Sequence, residues 1–111
     1  DVVAADQRGV ADPRDRAVLL DWMAEVATGS RRLRAGFPQG WRSGDKTGTG
    51  MSPGMPDRLN DVAVCWPPGH APLVIAAYYE GPHSNSERIR PEAEAVLADV
   101  GRVVTAWVSG R

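Results

Sequence analysis

Residues 62–79 read VAVCWPPGHAPLVIAAYY, and this stretch decides the fold. Two apolar runs, 62–66 and 73–79, lie on either side of Pro67-Pro68-Gly69. Such runs, bounded by proline and glycine, predict two strands, and the short loop between them predicts an antiparallel pair. The second run is almost continuously apolar, which predicts a strand buried on both faces.

A further strand is predicted upstream of this pair. Residues 41–49 are rich in threonine, glycine and serine and show no helical period, so they are predicted to form a strand. The segment from Met51 to Leu59 holds two prolines and a glycine, which indicates an extended loop.

Helices are predicted on both sides of these strands. Asp12 and Pro13 are typical of a helix start, and the spacing of Leu19, Trp22, Met23 and Val26 predicts one buried face. A shorter helix is predicted over 31–36, and residues 1–11 are predicted to end another helix at a glycine. The last helix is predicted from Pro91, with a sheet-packing stripe of Val96, Val100, Val103, Val104 and Trp107. The chain is therefore predicted to be α+β, with three antiparallel strands flanked by helices.

Composition excludes several classes of protein. The 111 residues include 13 Lys+Arg and 14 Asp+Glu, so the net charge is −1 and no basic excess exists to bind nucleic acid. No apolar run approaches the roughly 18–20 residues that span a bilayer. The single cysteine, Cys65, excludes an internal disulfide. The chain begins with Asp1, so we expect the natural N-terminus to be missing.

The strongest chemical signal is Gly44-Asp45-Lys46-Thr47-Gly48-Thr49-Gly50, which contains the only lysine of the chain. Glycines in a strand suggest the close approach of a ligand or of another backbone. A cation, a hydroxyl and strand N–H groups together suit the binding of a ligand that carries a carboxylate beside a polarised carbonyl. A phosphate loop is excluded because Asp45 precedes Lys46 and no helix follows. The competing interpretation is a glycine-rich edge strand with a solvated lysine.

Successive blocks of the sequence resemble class A serine β-lactamases. The resemblance covers roughly residues 10–110 and only the C-terminal part of that family. The matching blocks are Leu19-Leu20-Asp21-Trp22-Met23, Thr28-Gly29, Arg32-Leu33-Arg34-Ala35-Gly36-Phe37-Pro38, Gly40-Trp41, residues 44–50, residues 60–68 and Ala71-Pro72-Leu73-Val74.

The resemblance implies roles for residues of the glycine-rich strand. Lys46 is expected to support the network around the active-site serines and to bind the substrate carboxylate. Thr47 would donate its hydroxyl to that carboxylate, Gly48 would leave room for substrate, and the backbone N–H of Thr49 would be an oxyanion-hole donor.

A second cation for the carboxylate is expected from Arg32. Some members of the family carry an arginine near the position where Leu59 stands here, and others supply it from the segment that holds Arg32. The competing interpretation is an ordinary surface arginine. Two segments depart from the family, namely the longer connection over 51–59 and the loop over 81–91, so no role is transferred to either.

The family's nucleophile and base are not found in this chain. A Ser-Asp-Asn motif does not occur. Ser43-Gly44-Asp45-Lys46 matches Ser-x-x-Lys, but residues i and i+3 of a strand point to opposite faces, so Ser43 is expected to be inert. We therefore interpret residues 1–111 as the C-terminal portion of one β-lactamase-like domain, inactive alone.

The resemblance also implies partners and location. The complete enzyme would hydrolyse the β-lactam amide through a serine acyl-enzyme, with no metal or organic cofactor. The expected partners are the β-lactam and the missing N-terminal portion of the domain, with no nucleic acid and no membrane, in the periplasm or outside the cell. Two alternatives stay open: a fragment of a penicillin-binding transpeptidase or carboxypeptidase, and a non-catalytic binding module.

The remaining reactive side chains have structural explanations. His70 and His83 are expected in separate exposed loops, and Cys65 is expected in the core. The four residues Glu87-Arg88-Ile89-Arg90 are expected to form a solvated charge cluster. Three tryptophans are expected to be buried packing residues: Trp22, Trp66 and Trp107.

Overall fold

A computed structural model describes residues 12–26 and 28–111 of the chain. The prediction of a helix end within residues 1–11 lies outside the described residues. In chain order the elements are α1 (Pro13–Glu25), a 3-10 turn (Leu33–Gly36), β1 (Arg42–Gly50), β2 (Pro56–Trp66), β3 (Leu73–Ser84) and α2 (Pro91–Ser109). The predicted α+β class, with three antiparallel strands flanked by helices, is confirmed.

The strands form one antiparallel sheet in the order β1-β2-β3. Lys46 lies opposite Val62 in the first pair, and Cys65 lies opposite Leu73 in the second. Both outer strands are sheet edges in the described part of the chain. The turn between β2 and β3 uses Gly69 at φ +77°, a left-handed conformation that glycine adopts without steric cost.

Two strands are longer than predicted. β2 begins at Pro56, so Leu59 lies inside a strand and the loop after β1 is shorter than the predicted one. Proline is tolerated at the first residue of a strand, where its missing N–H costs no ladder bond. β3 extends to Ser84, which places His83 at the end of a strand rather than in a loop.

The core lies between the sheet and a layer made of the 3-10 turn and α2. One cluster joins Leu33 and Phe37 to Ala63 and Cys65 of β2. A second cluster joins Leu59 to Ala93 and Leu97 of α2. Burial of this apolar surface stabilises the layer by about 25 cal/mol per Å² removed from water.

The 3-10 turn and α2 approach so closely that two glycines are required. A Cβ added at Gly101 would lie 2.2 Å from the carbonyl oxygen of Leu33, and one added at Gly36 would lie 2.3 Å from that of Ala98. The Thr105 hydroxyl donates to the Gly36 carbonyl at 2.9 Å across the same contact. This contact fixes the segment that carries Arg32 against α2.

α1 packs on the opposite face of the sheet, over β1. Its predicted start is confirmed, because Asp12 accepts hydrogen bonds from the backbone N–H groups of Arg14 and Asp15 at 2.8 and 2.9 Å. Gly44 of β1 lies against the backbone of Met23, which is the buried residue of the helix.

The predicted buried faces of the helices are partly wrong. In α1, Trp22 is 65% exposed and Leu19 is also exposed. In α2, Val103 and Trp107 are exposed, and the buried positions are instead Ala93, Glu94, Leu97, Ala98, Gly101 and Val108. The 3-10 turn packs against the side of α2 that carries Gly101. No described element covers Trp22 or Trp107.

The prediction that β3 is buried on both faces is also wrong. Ala76 and Tyr78 are exposed, whereas their neighbours Ile75 and Ala77 pack against the core. Trp66 is half-buried and lies under the Arg42 guanidinium, 4.4 Å from the ring centroid. The described chain therefore has one covered sheet face and one that is largely open. In the described ranges, neither α1 nor α2 is a long enough apolar helix to span a bilayer.

Candidate active site

The residues from Lys46 to Thr49 lie on β1, an edge strand of the sheet. Lys46 and Thr49 are exposed, and Thr47 and Gly48 are half-buried. The Lys46 ammonium donates to the Thr47 carbonyl at 2.8 Å. The hydroxyls of Thr47 and Thr28 are 3.1 Å apart and share a hydrogen bond. A cation, two hydroxyls and an edge of backbone are thus accessible in four consecutive residues.

Gly48 contributes open space at the centre of this segment. A Cβ added there would meet only the Asn60 side chain, at 3.8 Å, which is ordinary van der Waals contact. The absence of a side chain therefore leaves the strand surface open at this position. A flat ligand can approach the backbone here more closely than it could over any other residue type.

Arg32 lies beneath the strand, with 2% of its surface exposed. Nη1 donates to the carbonyl oxygens of Gly48 and Asn60, both at 2.9 Å. Nη2 donates to the Thr49 hydroxyl at 2.6 Å. The guanidinium therefore joins β1 to β2 and places a positive charge directly behind the accessible segment. The interpretation of Arg32 as a surface arginine is wrong, because the side chain is buried and its guanidinium N–H groups donate to other residues of the protein.

The charge of Arg32 is balanced by Glu94 at the start of α2. Nε donates to the Glu94 carboxylate at 3.2 Å, and both side chains are buried or nearly so. Removing one partner of such a buried pair leaves an uncompensated charge and is strongly destabilising. Glu94 therefore belongs to the site even though it is distant from it in sequence.

Two buried carboxylates, Asp45 and Asp61, lie on the same side of the sheet. The Asp45 carboxylate accepts from Arg34 at 3.3 Å, and the Asp61 carboxylate accepts from the Leu33 N–H at 3.1 Å. The second oxygen of each, Asp45 Oδ2 and Asp61 Oδ1, is buried without a hydrogen-bond partner among residues 12–26 and 28–111. A proton shared between the two carboxyl groups would satisfy both oxygens.

Burial is the main cause of an unusual ionisation at this pair. Burial, followed by the hydrogen bond and the charge of Asp45, raises the pKa of Asp61 from 3.8 to about 8. The raised pKa favours the protonated form of Asp61 beside Asp45. Strand β1 is thus supported from behind by the Arg32 guanidinium and by two buried carboxyl groups, Asp45 and Asp61.

The structure brings together all five residues that the sequence nominated: Lys46, Thr47, Gly48, Thr49 and Arg32. Sequence reasoning missed the supporting groups Glu94, Asp61 and Arg34. Asp61 could have been found, because a carboxylate in an otherwise apolar strand needs a partner. Glu94 precedes Ala98 and Gly101 on one helix face, which is an unusual place for a charge.

The other reactive residues lie elsewhere. Ser43 sits on β1, in the extended conformation that separates it from Lys46. His70 and His83 are exposed and lie in different segments. Cys65 is free and fully buried, and burial raises the pKa of its thiol, so its predicted place in the core is confirmed.

A family model described as the beta-lactamase enzyme family matches residues 3–108. The chain belongs to this β-lactamase family. Among curated members it is 42% identical to β-lactamase Toho-1 of Escherichia coli over 90 residues, which are 81% of this chain and 28% of that protein. It is 45% identical to a β-lactamase of Amycolatopsis lactamdurans over 93 residues, 83% of this chain and 28% of that protein.

Solved β-lactamase structures share the fold. An ancestral class A β-lactamase of Gram-negative bacteria matches with a TM-score of 0.70 and 44% identity, over 86% of this chain and 34% of that one. The class A β-lactamase PenP of Rhodopseudomonas palustris matches with a TM-score of 0.72 and 40% identity, with the same coverage of 86% and 34%. The resemblance to class A enzymes is confirmed. The chain spans about a third or less of the length of these β-lactamases.

Proposed function

We propose that this chain supplies the substrate-binding strand of a serine β-lactamase. The observation that carries the proposal is the accessible Lys46–Thr49 segment on an edge strand, backed by the buried guanidinium of Arg32, in a chain of the β-lactamase family. The substrate is a β-lactam, whose ring carboxylate and carbonyl match the cation and donors of β1.

Each residue of the segment has a separate part in this reaction. The Lys46 ammonium and the Thr47 hydroxyl bind the carboxylate, and Gly48 lets the ring lie flat against the strand. The Thr49 backbone N–H donates to the carbonyl oxygen as it becomes negatively charged. Loss of one such donor typically lowers turnover by about 10²–10³.

Arg32 acts on the substrate through Thr49. Its Nη2 donates to the Thr49 hydroxyl, which leaves that oxygen oriented by a cation and its proton free for a substrate oxygen.

The chemical steps need residues that we assign to an N-terminal portion of the same domain, in the same precursor chain or in another chain. There a serine oxygen attacks the β-lactam carbonyl carbon, the ring C–N bond breaks and the nitrogen takes a proton. Water then attacks the resulting ester, releasing the acid and restoring the serine hydroxyl. Residues 1–111 alone are inactive in this scheme, and the complete enzyme is secreted or periplasmic.

Within residues 12–26 and 28–111, one sheet face is largely open and no strand pairs with the outer edge of β3, which supports the need for this N-terminal portion. Exposed Trp22 on α1 and exposed Tyr78 on β3 are large apolar groups of the kind that an interface covers. An unpaired strand edge likewise accepts a further strand.

The test is hydrolysis of a chromogenic cephalosporin by the complete parent protein and by the isolated chain. In the parent, Lys46→Ala should lower kcat/KM about 10- to 100-fold, the effect of one charged hydrogen bond. The matched control is Arg58→Ala, which removes an exposed cation paired with Glu80 on the neighbouring strands. Unchanged kcat/KM in Lys46→Ala would contradict the assignment of this segment.

Two further outcomes separate the alternatives. A parent protein that stays acylated by penicillin, without release of product, would identify a transpeptidase or carboxypeptidase instead. Turnover by the isolated chain above that of buffer would contradict the need for a second portion. A monodisperse, cooperatively folding monomer that never binds a β-lactam would identify a binding module.

A further inference from the structure

A cavity lies between Arg31 and the segment that joins β3 to the first turn of α2. Its volume is about 680 Å³, and its walls are Arg31 and residues 86–92. We propose that this cavity is a binding site for a small organic carboxylate, with the carboxylate on Arg31 and Arg88. The proposal goes beyond the β-lactamase function and does not rest on it.

The loop that forms this cavity is held by a buried carboxylate. Asp57 of β2 is 4% exposed and accepts hydrogen bonds from both the backbone N–H of Ser86, at 3.1 Å, and its hydroxyl. Arg90 Nε in turn donates to the Ser86 oxygen at 3.1 Å. The Ser86 hydrogen bonds are the main reason that the pKa of Asp57 is lowered. The loop therefore has a fixed shape, which preorganises the cavity.

The charges in the cavity walls favour an anion. Three guanidinium groups face two carboxylates, and Arg90 and Glu92 form an ion pair at 3.5 Å. Within residues 12–26 and 28–111, neither Arg31 nor Arg88 forms an ion pair. These two arginines are left to bind a ligand, and a planar guanidinium matches a carboxylate with two parallel hydrogen bonds.

The helix end itself contributes little to this attraction. The first turn of α2 contains Pro91, which has no N–H, and Glu92, whose carboxylate accepts from its own backbone N–H. The N–H groups of Ala93 and Glu94 donate to the Arg90 carbonyl. The anion is therefore recognised by the arginine side chains.

A smaller cavity indicates what the carboxylate is attached to. It has a volume of about 160 Å³ and shares Arg90 and Glu92 with the larger cavity. Tyr79, Pro82 and Ala93 supply apolar surface in its walls, and Asp57 and His83 supply further polar groups. An engineered apolar cavity of about 150 Å³ binds benzene, so the volume of the smaller cavity matches one aromatic ring. The pair of cavities therefore fits an aromatic acid, with the ring in the small cavity and the carboxylate on the arginines.

The test is a titration of the 111-residue chain with phenylacetate, followed by NMR or calorimetry. Phenylacetamide has the same shape without the charge, and inorganic phosphate has the charge without the ring. We expect phenylacetate to bind more tightly than either, and its affinity to fall as salt is added. Equal affinity for phenylacetamide would overturn the role of the arginines, and equal affinity for phosphate would overturn the role of the ring.

Variants locate the site within the chain. Arg88→Ala and Arg31→Ala should each weaken phenylacetate binding by about tenfold, the loss of one charged hydrogen-bonding group. Glu87→Gln should strengthen binding because it removes a competing negative charge. The matched control is Arg102→Ala, an exposed arginine of α2 outside both cavities. Unchanged affinity in Arg88→Ala, with an unchanged melting temperature, would overturn the proposal.

Discussion

Replacing Asp61 by asparagine tests the shared proton behind β1. The asparagine oxygen can still accept from the Leu33 N–H, which lies 3.1 Å from Asp61 in the structure. Its amide group can donate to the buried Asp45 oxygen that otherwise has no partner. Asp61→Asn therefore imitates the protonated carboxyl and removes its ability to ionise.

The sign of the pH effect follows from the raised pKa. The pKa of Asp61 is about 8 in the folded chain against 3.8 for an ordinary aspartate, so the folded state holds a proton that the unfolded state releases. This group's contribution to stability is complete below about pH 4 and is lost as the pH rises toward 8. The loss is about 1.4 kcal/mol per pH unit within that window.

The measurement is the free energy of unfolding by urea at several pH values between 4 and 9. The difference between Asp61→Asn and the wild type should grow in favour of the variant as the pH rises, by up to about 1.4 kcal/mol per unit. Asp61→Ala serves as the comparison. It leaves buried groups without partners and should be less stable than Asp61→Asn at every pH. A pH-independent difference between Asp61→Asn and the wild type would refute the shared proton.

Three further variants test other contacts. Gly101→Ala places a Cβ 2.2 Å from the Leu33 carbonyl oxygen and should lower the free energy of unfolding by about 1–3 kcal/mol, whereas Gly40→Ala, with open space around it, should not. Arg32→Lys keeps the charge but loses the fork that reaches β1 and β2, so stability in urea should fall by about 3 kcal/mol, and a change below 0.5 kcal/mol would contradict that role. Asp57→Asn removes a carboxylate whose pKa is lowered on folding. The wild type loses the stabilisation from this carboxylate as the pH falls through that pKa, so the difference in stability between variant and wild type should shrink. Thermal unfolding at pH 2–6 measures this difference.

Local sequence signals predicted most of the fold. The proline and glycine between 62–66 and 73–79 correctly placed a tight antiparallel connection, and Asp12 with Pro13 correctly placed the start of α1. The Lys46–Thr49 segment was also correctly placed on a strand. Each of these signals depends on neighbours in the chain, which a sequence shows directly.

Burial could not be predicted from the same signals. The spacing of Leu19, Trp22 and Met23 shows that α1 has an apolar face, but it does not show what covers that face. Only contact with another element decides this, and in the described chain Trp22 remains exposed. The burial of Arg32 was missed for the same reason, because its partner Glu94 is brought near only by the close approach at Gly36 and Gly101.

The bond between Arg32 and Glu94 also sets an order of assembly. Its two ends are 62 residues apart in the sequence, and Arg32 is the group that holds the Gly48 and Asn60 carbonyls together. Contacts of such long range form slowly, because a large loop must close first. During synthesis β1 therefore stays unsupported until α2 has emerged and docked. A chain cut before residue 94 would keep every residue of that strand and still not hold it in place.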